Sequence, residues 1–197
     1  MILCKSERAA ARTMENLVPY IEKKLFLKVN REKSTVAYIT KVKFLGYSFY
    51  KKKGEGRLRI HMKSVEKMQA RIKELTSRSN GWGNERRKEA LRQYITGWVN
   101  YFKLADMRML MVETDEWYRR RLRMVFWKQW KRIGTKQANL VKLGITKSKA
   151  WEYANSRKGY WHIAKSWVLS TSVTNERLKE RGYFFLSDCY LKARNLT

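Results

Sequence analysis

The chain has 197 residues, room for one ordinary domain or two small ones with a sizeable core, and 45 lysines and arginines against 17 acids give it a formal charge of +28. The excess is no tail: 15 basic and 5 acidic residues fall in 1–60, 18 and 8 in 61–135, and 12 and 4 in 136–197, and a folded surface this positive repels itself unless it meets a polyanionic partner. A hydrophobic fraction of 44% with eight Trp and eleven Tyr excludes a disordered basic segment, because such segments lack the apolar surface for a core.

The first elements alternate strand and helix signals. Met1 to Cys4 is a short apolar run suited to a buried strand. Ser6 is placed as an N-cap with Glu7 in the first turn, and Ala9, Thr13, Leu17 and Ile21 recur at helical spacing, with Pro19 limiting or kinking the helix near its end. Leu25-Phe26-Leu27 and Val29 read as extended. Thr35 to Ile39 and Val42 to Tyr50 are β-rich runs joined by a short basic turn, which predicts a hairpin. Lys51-Lys52-Lys53-Gly54-Glu55-Gly56 breaks the pattern and is read as a boundary.

Helical periodicity follows. Val65, Met68, Ile72 and Leu75 form one stripe, with Lys63, Lys67, Arg71 and Lys73 mostly off it. Ser79 to Gly83 is a loop and Asn84 an expected N-cap. The next helix presents Leu91, Tyr94, Ile95, Trp98, Tyr101, Phe102 and Ala105 on a broad face. Gly97 inside it costs about 1 kcal/mol relative to Ala and predicts a close neighbour. After a break at Asp106, a third helix carries Leu110, Trp117, Leu122, Val125, Phe126 and Trp130 and is expected to end at Gly134. Shorter helices are predicted over Lys136–Leu143, Lys147–Ser156, Asn175–Arg181 and Ser187–Ala193, with a loop around Gly159.

The side chains offer little for catalysis. Two-metal chemistry needs clustered carboxylates, yet Asp106, Asp115 and Asp188 are scattered, and Asp115-Glu116 point different ways from a helix and read as solvated. Cys4 and Cys189, His61 and His162 lack the spacing of a metal site, and two distant cysteines fit a reducing compartment. There is no GxSxG turn or phosphate-binding glycine loop. Met1 to Lys5 is too short for a secretory core, and no stretch reaches membrane-span length, so the cytoplasm, with access to the nucleoid, is the expected location.

Binding chemistry is richer. Arg119, Arg120, Arg121 and Arg123 run around more than one face of a helix, and Lys128, Lys131 and Arg132 continue the series. Guanidinium forks bind phosphate bidentately, and a row spaced at about 5 Å per turn can follow a backbone. Arg86, Arg87, Lys88 and Arg92 form a second cluster where a helix N-terminus also favours phosphate. The aromatic rows Tyr94/Trp98/Tyr101/Phe102 and Trp117/Phe126/Trp130 have core spacing, whereas Trp82, in a Gly-rich loop, is the more open ring for stacking.

Met1-Ile2-Leu3-Cys4-Lys5-Ser6 is similar to the segment just after the Tyr-x-Asp-Asp strand of the family of group II intron-encoded reverse transcriptases, and further blocks follow in order along nearly the whole chain. Val29-Asn30-Arg31-Glu32-Lys33-Ser34 and Val42-Lys43-Phe44-Leu45-Gly46-Tyr47 resemble its next two blocks. Leu91-Arg92-Gln93-Tyr94-Ile95-Thr96-Gly97-Trp98-Val99-Asn100-Tyr101-Phe102 resembles the maturase-specific region, also called domain X or thumb, and Leu122–Trp130 with Lys131 and Arg132 continues it. Lys147-Ser148-Lys149-Ala150-Trp151 and Arg157-Lys158-Gly159-Tyr160-Trp161 resemble the tails of bacterial members.

The resemblance implies an α+β chain: a short antiparallel palm remnant over 1–55, thumb or maturase helices over 56–135, and a basic helical region over 136–197 that contacts DNA or RNA. It implies that Lys33, Phe44, Leu45 and Gly46 lie where a primer end is positioned, and that the basic clusters hold structured RNA, with intron RNA as the expected partner and splicing assistance as the role. The catalytic Asp pair of the family is absent from this sequence, so no polymerase chemistry is expected of the chain by itself. No cofactor is expected on it, Mg2+ belonging to the full-length relatives. The alternatives are half of a split RNA-directed DNA polymerase, paired with an upstream chain that carries the aspartates, or a truncated element without function.

Overall fold

A computed structural model describes residues 1–195 and divides them into two compact units, the first spanning Met1–His61 and the second beginning at Met62. In the first unit, α1 (Glu7–Lys24) starts where expected: the Ser6 hydroxyl accepts the Ala9 N–H at 3.2 Å, and Glu7 at one end with Lys23 and Lys24 at the other complements the helix dipole. Pro19 removes one backbone donor, yet the helix runs on to Lys24. An antiparallel sheet follows, β1 (Lys43–Phe44), β2 (Tyr47–Lys52) and β3 (Glu55–Ile60), paired in that order.

The strands differ from the expectation in three places. Met1–Cys4 is irregular and exposed, because a strand forms only against a neighbour that takes its backbone hydrogen bonds, and the described strands pair among themselves. Leu25–Val29 and Thr35–Tyr38 are likewise irregular, the latter leading into a 3₁₀ turn at Ile39–Lys41. The 47–52 strand pairs not with residues 35–39 but with the two-residue β1 upstream and, along its whole length, with β3 downstream. Residues 51–56, read from sequence as a break, form the tip of the β2–β3 hairpin, in register Lys52↔Glu55. Lys53 (φ 50°) and Gly54 (φ 83°) both occupy the left-handed region, as a two-residue type I′ connection requires. Leu45 (φ 50°) and Gly46 (φ 85°) make the same kind of turn between β1 and β2.

The second unit is helical: α2 (Met62–Leu75), α3 (Asn84–Phe102), α4 (Arg108–Gln129), α5 (Ile133–Lys142), α6 (Lys147–Ala154), α7 (Tyr160–Ile163), α8 (Trp167–Ser172), α9 (Asn175–Glu180) and α10 (Leu186–Ala193). A short sheet followed by helices is the expected α+β class. The α2 stripe Val65, Met68, Ile72 and Leu75 is buried as its spacing predicts. In α3 the buried line is Leu91, Ile95, Val99 and Phe102. Tyr94 and Trp98 are half-buried and Tyr101 is exposed, so the apolar face is narrower than the aromatic row suggests. Gly97 faces open space and not a close neighbour. Gly83, not Asn84, precedes α3 as its cap.

Helix α4 is the hub, packing against α2, α7 and α10. From Met111 to Trp127 it buries side chains on several faces, including Tyr118, Leu122, Met124, Val125, Phe126 and Trp127. It ends at Gln129, and Gly134 lies inside α5 instead of closing α4. The expected loop around Gly159 contains the short helices α7 and α8, whose four and six residues are too few to show a 3.6-residue period.

Asp115, read from sequence as solvated, is fully buried. Its carboxylate accepts the Leu186 and Ser187 N–H groups at 2.9 Å each and the Ser187 hydroxyl, capping the start of α10 from the middle of α4. Burial pushes its carboxyl above the ordinary range, and the Ser187 and Leu186 donors with nearby Arg119 pull the other way. The other end of α10 is tied where Tyr190 donates to the Ala105 carbonyl at 2.9 Å and Arg194 reaches Asp106 at 3.3 Å. Removing the cap leaves three donors without a partner. Asp115→Ala is expected to cost about 2–3 kcal/mol in urea unfolding, and Ser187→Ala, which removes only the hydroxyl donor, about 1 kcal/mol.

Candidate nucleic-acid interface

The basic residues singled out from sequence divide into those that hold the helices together and those that face solvent. Arg121, on the α2 side of α4, donates from Nε to Thr76 Oγ1 at 2.6 Å and from its terminal nitrogen to the Lys73 carbonyl at 2.9 Å. These groups lie at the end of α2, where helix geometry leaves carbonyls without intrahelical partners. Arg123 does the same for α8, reaching the Val173 carbonyl at 2.9 Å and Asn175 Oδ1 at 3.3 Å. Arg120 donates twice to the Trp161 carbonyl, at 3.2 and 2.9 Å, with its guanidinium 3.9 Å from the centre of the Trp161 ring. Arg87 is buried under the loop before α3, with Asn80 Oδ1 at 3.0 Å and Asn84 Oδ1 at 3.4 Å.

Burial lowers the pKa of Arg87, Arg120, Arg121 and Arg123 below the ordinary arginine value, with Arg119 adding to the effect at Arg123. Arginine remains charged regardless, so each guanidinium bears a desolvation cost that its carbonyl or amide-oxygen partners offset, only in part at Arg87, whose buried Nε has no partner. Three of the four arginines in the α4 run are therefore fastened to neighbouring helices. The run encircles a helix that is surrounded on several sides, and successive residues 100° apart meet different neighbours. Arg177, not singled out from sequence, serves the same purpose, donating to the Leu143 carbonyl at 2.8 Å and the Ser172 carbonyl at 2.7 Å at the ends of α5 and α8.

The outward cations fall into two places. At one end of the unit the start of α3 and the end of α4 are joined, Gln129 Nε2 donating to Asn84 Oδ1 at 3.0 Å. Trp82, read from sequence as the more open ring, is half-buried there, and Arg86 stands 4.5 Å over its face. Lys128, at 5.4 Å, and Arg78, at 4.7 Å, both approach the ring of Tyr160. Lys131 and Arg132 follow immediately and are exposed. Lys88 lies one turn into α3, paired with Glu85 at 2.8 Å. Arg78 and Tyr160 were missed from sequence because only the fold brings an isolated arginine after α2 and a tyrosine of α7 to the end of α4.

In the second place, Arg92 lies 5.2 Å from the Phe184 ring and Arg119 5.5 Å from Phe185. The remaining candidates belong to the first unit. Lys33 lies in a turn whose N–H donates to Asn30 Oδ1 at 3.0 Å. Phe44, Leu45 and Gly46 form the β1–β2 tip, with Leu45 64% exposed. Among the described residues no group of three or more Cys, His, Asp or Glu could hold a metal ion, and no helix is long and apolar enough to cross a membrane.

Comparison with known families adds one finding. Residues 65–144, from the second turn of α2 to the glycine after α5, match the maturase-specific domain of group II introns. No curated protein matches the chain.

The two kinds of arginine make different predictions. Arg121→Met leaves the end of α2 unsatisfied and is expected to lower unfolding stability by about 2 kcal/mol. The pair Lys131→Gln and Arg132→Gln is expected to change stability by no more than about 0.5 kcal/mol while weakening binding to RNA, both read on the same purified variants.

Proposed function

We propose that this chain, as the bearer of a group II intron maturase-specific domain over residues 65–144, binds structured intron RNA and assists its splicing. The observation that carries the reading is the meeting of the α3 start and the α4 end. It sets Arg78, Arg86, Lys128, Lys131 and Arg132 with two aromatic rings at one end of the helical unit. Phosphate binding of this kind supplies affinity, and the ribozyme's own folded RNA supplies the chemistry. On this reading α2 to α4 correspond to the thumb of the group II intron reverse transcriptases. Lys33 with the Phe44–Gly46 tip corresponds to their primer-positioning segment, and the region after Gly144 adds further binding surface for RNA or target DNA. Polymerase chemistry and its Mg2+ belong to parts of the family that this sequence does not include.

Affinity for a self-splicing group II intron RNA is expected to fall steeply with salt, with log–log slope of about −0.7 to −0.9 per neutralised phosphate. Replacing Arg78, Lys128, Lys131 and Arg132 by Gln should make that slope shallower, in proportion to the number of phosphates no longer neutralised. At moderate salt the intron RNA should bind better than an unrelated RNA of equal length. A flat salt response would remove the phosphate account, and equal affinity for both RNAs would remove the maturase account while leaving a general RNA-binding protein.

A second reading has its own observation. The first unit leaves Leu3 (68%), Phe26 (87%), Leu45 (64%) and Tyr38 (59%) exposed, with Val18 and Ile60 its buried apolar residues. A unit this open fits one half of a palm whose other half carries the catalytic aspartates, the arrangement that a split reverse transcriptase would have. Co-expression with a palm segment carrying the Tyr-x-Asp-Asp strand would be expected to give a complex with reverse-transcriptase activity. Separate elution of the two would rule this reading out.

A further inference from the structure

Beyond the basic end of the bundle, the helices after the matched domain enclose a cleft of about 390 Å³, lined by Glu152, Tyr153, Ser156, Lys158, His162, Ile163, Ser166 and Trp167, at the small end of the roughly 300–1,000 Å³ typical of ligand sites. Its rings come from three successive helices: Tyr153 from α6, His162 from α7 and Trp167 from α8. Ile163, buried, closes it from below, whereas Trp167 is 61% exposed. A tryptophan left that open on a short capped helix contributes little to the core, although the Ser166 hydroxyl, accepting the Leu169 N–H, fixes the turn that carries it.

The polar groups suit a flat heteroaromatic ring. The Ser156 and Ser166 hydroxyl oxygens accept the Lys158 and Leu169 N–H groups, so each hydroxyl keeps a proton to donate. The Glu152 carboxylate, anchored by Lys149 at 3.0 Å, is an acceptor for ring or exocyclic N–H groups. Lys158 stands exposed at the rim, where the backbone of a strand whose base had entered would pass. Residues 136–197 carry 12 basic residues against 4 acids, so the approach is favourable for a polyanion and unfavourable for a cationic ligand.

The geometry points to a site for one unpaired nucleobase of a bound nucleic-acid strand, stacked on Trp167 and read along its edge by Glu152 and the two serines. It rests on the reading of the chain as an RNA-binding protein and adds to it a preference for unpaired over fully paired strands. A base inside a duplex cannot enter such a cleft, whereas an unstacked one can lie against an aromatic face.

The test uses the full chain with three probes of equal length at moderate salt: a single-stranded oligoribonucleotide, the deoxyribonucleotide of the same sequence, and the RNA duplex. Trp167→Ala is expected to weaken binding of the single-stranded probes about 10-fold, the scale of a single base–aromatic stack, and to change duplex binding by less than about two-fold. Trp167→Phe should restore most of the affinity, and Trp151→Ala, an equally exposed tryptophan outside the cleft, should have no effect. A loss confined to the RNA strand assigns the site to RNA, and an equal loss on both strands assigns it to an unpaired base of either sugar. Equal weakening of strand and duplex, no weakening, or the same loss from Trp151→Ala overturns the base site while leaving the maturase reading intact. Failure of the unaltered chain to bind any probe overturns both.

Discussion

Helix ends set the central constraint on the second unit. Short helices dominate its last third, and every α-helix leaves carbonyls without partners at its C-terminus. Where those ends are pressed against a neighbour instead of water, something must donate to them. Here long guanidinium side chains reach across from another helix: Arg121 to the end of α2, Arg123 and Arg177 to the end of α8, and Arg177 again to the end of α5. Positive charge at a helix C-terminus is also favoured by the dipole. Five arginines that look from composition like nucleic-acid-binding charge, Arg87, Arg120, Arg121, Arg123 and Arg177, therefore have an occupation inside the protein. The packing of α4 among its neighbours joins the Arg121 and Arg123 hydrogen bonds to its buried apolar side chains.

That dual use explains what could be read in the sequence and what could not. Apolar periodicity was sufficient for α2, whose stripe is buried residue for residue, and capping chemistry was sufficient for the start of α1 and for α9, where Thr174 accepts the Arg177 N–H. It was insufficient for α4. A helix buried on several faces has no single stripe, and its polar residues are satisfied by partners far away in sequence: Asp115 by residues 71 and 72 positions on, Arg121 by one 45 positions back. Local pattern carries no trace of such pairing. The strands show the complementary limit. A β-rich run becomes a strand only where a neighbour is present, so Met1–Cys4 and Thr35–Tyr38 stay irregular while Glu55-Gly56-Arg57, unpromising by composition, pairs with β2 across a turn that Gly54 makes feasible.

The candidate interface follows the same logic. The clusters at 86–92 and 119–132 were visible as runs of charge, but a run does not reveal which members face outward. Burial divides them, withdrawing Arg87 and Arg121 and leaving Arg86, Lys128, Lys131 and Arg132. It also recruits Arg78 and Tyr160, whose only qualification is position in space. Cations resting on aromatic faces recur at this surface, Arg86 at Trp82 and both Arg78 and Lys128 at Tyr160. Such rings hold a long side chain near one rotamer and so lower the ordering cost when a phosphate arrives.

The anchoring of α10 bears on what counts as a module. The family-matched segment ends at Gly144, whereas Asp115, in its middle, is completed by Leu186 and Ser187, and the Ala105 carbonyl by Tyr190. Homology and cooperative folding thus draw different borders around the same helices. Recombination that carried residues 65–144 alone into a new protein would transplant a buried carboxylate without its donors. Cooperative folding of the matched segment is therefore tied to a tail that lies outside it and whose helix α10 must land in one place.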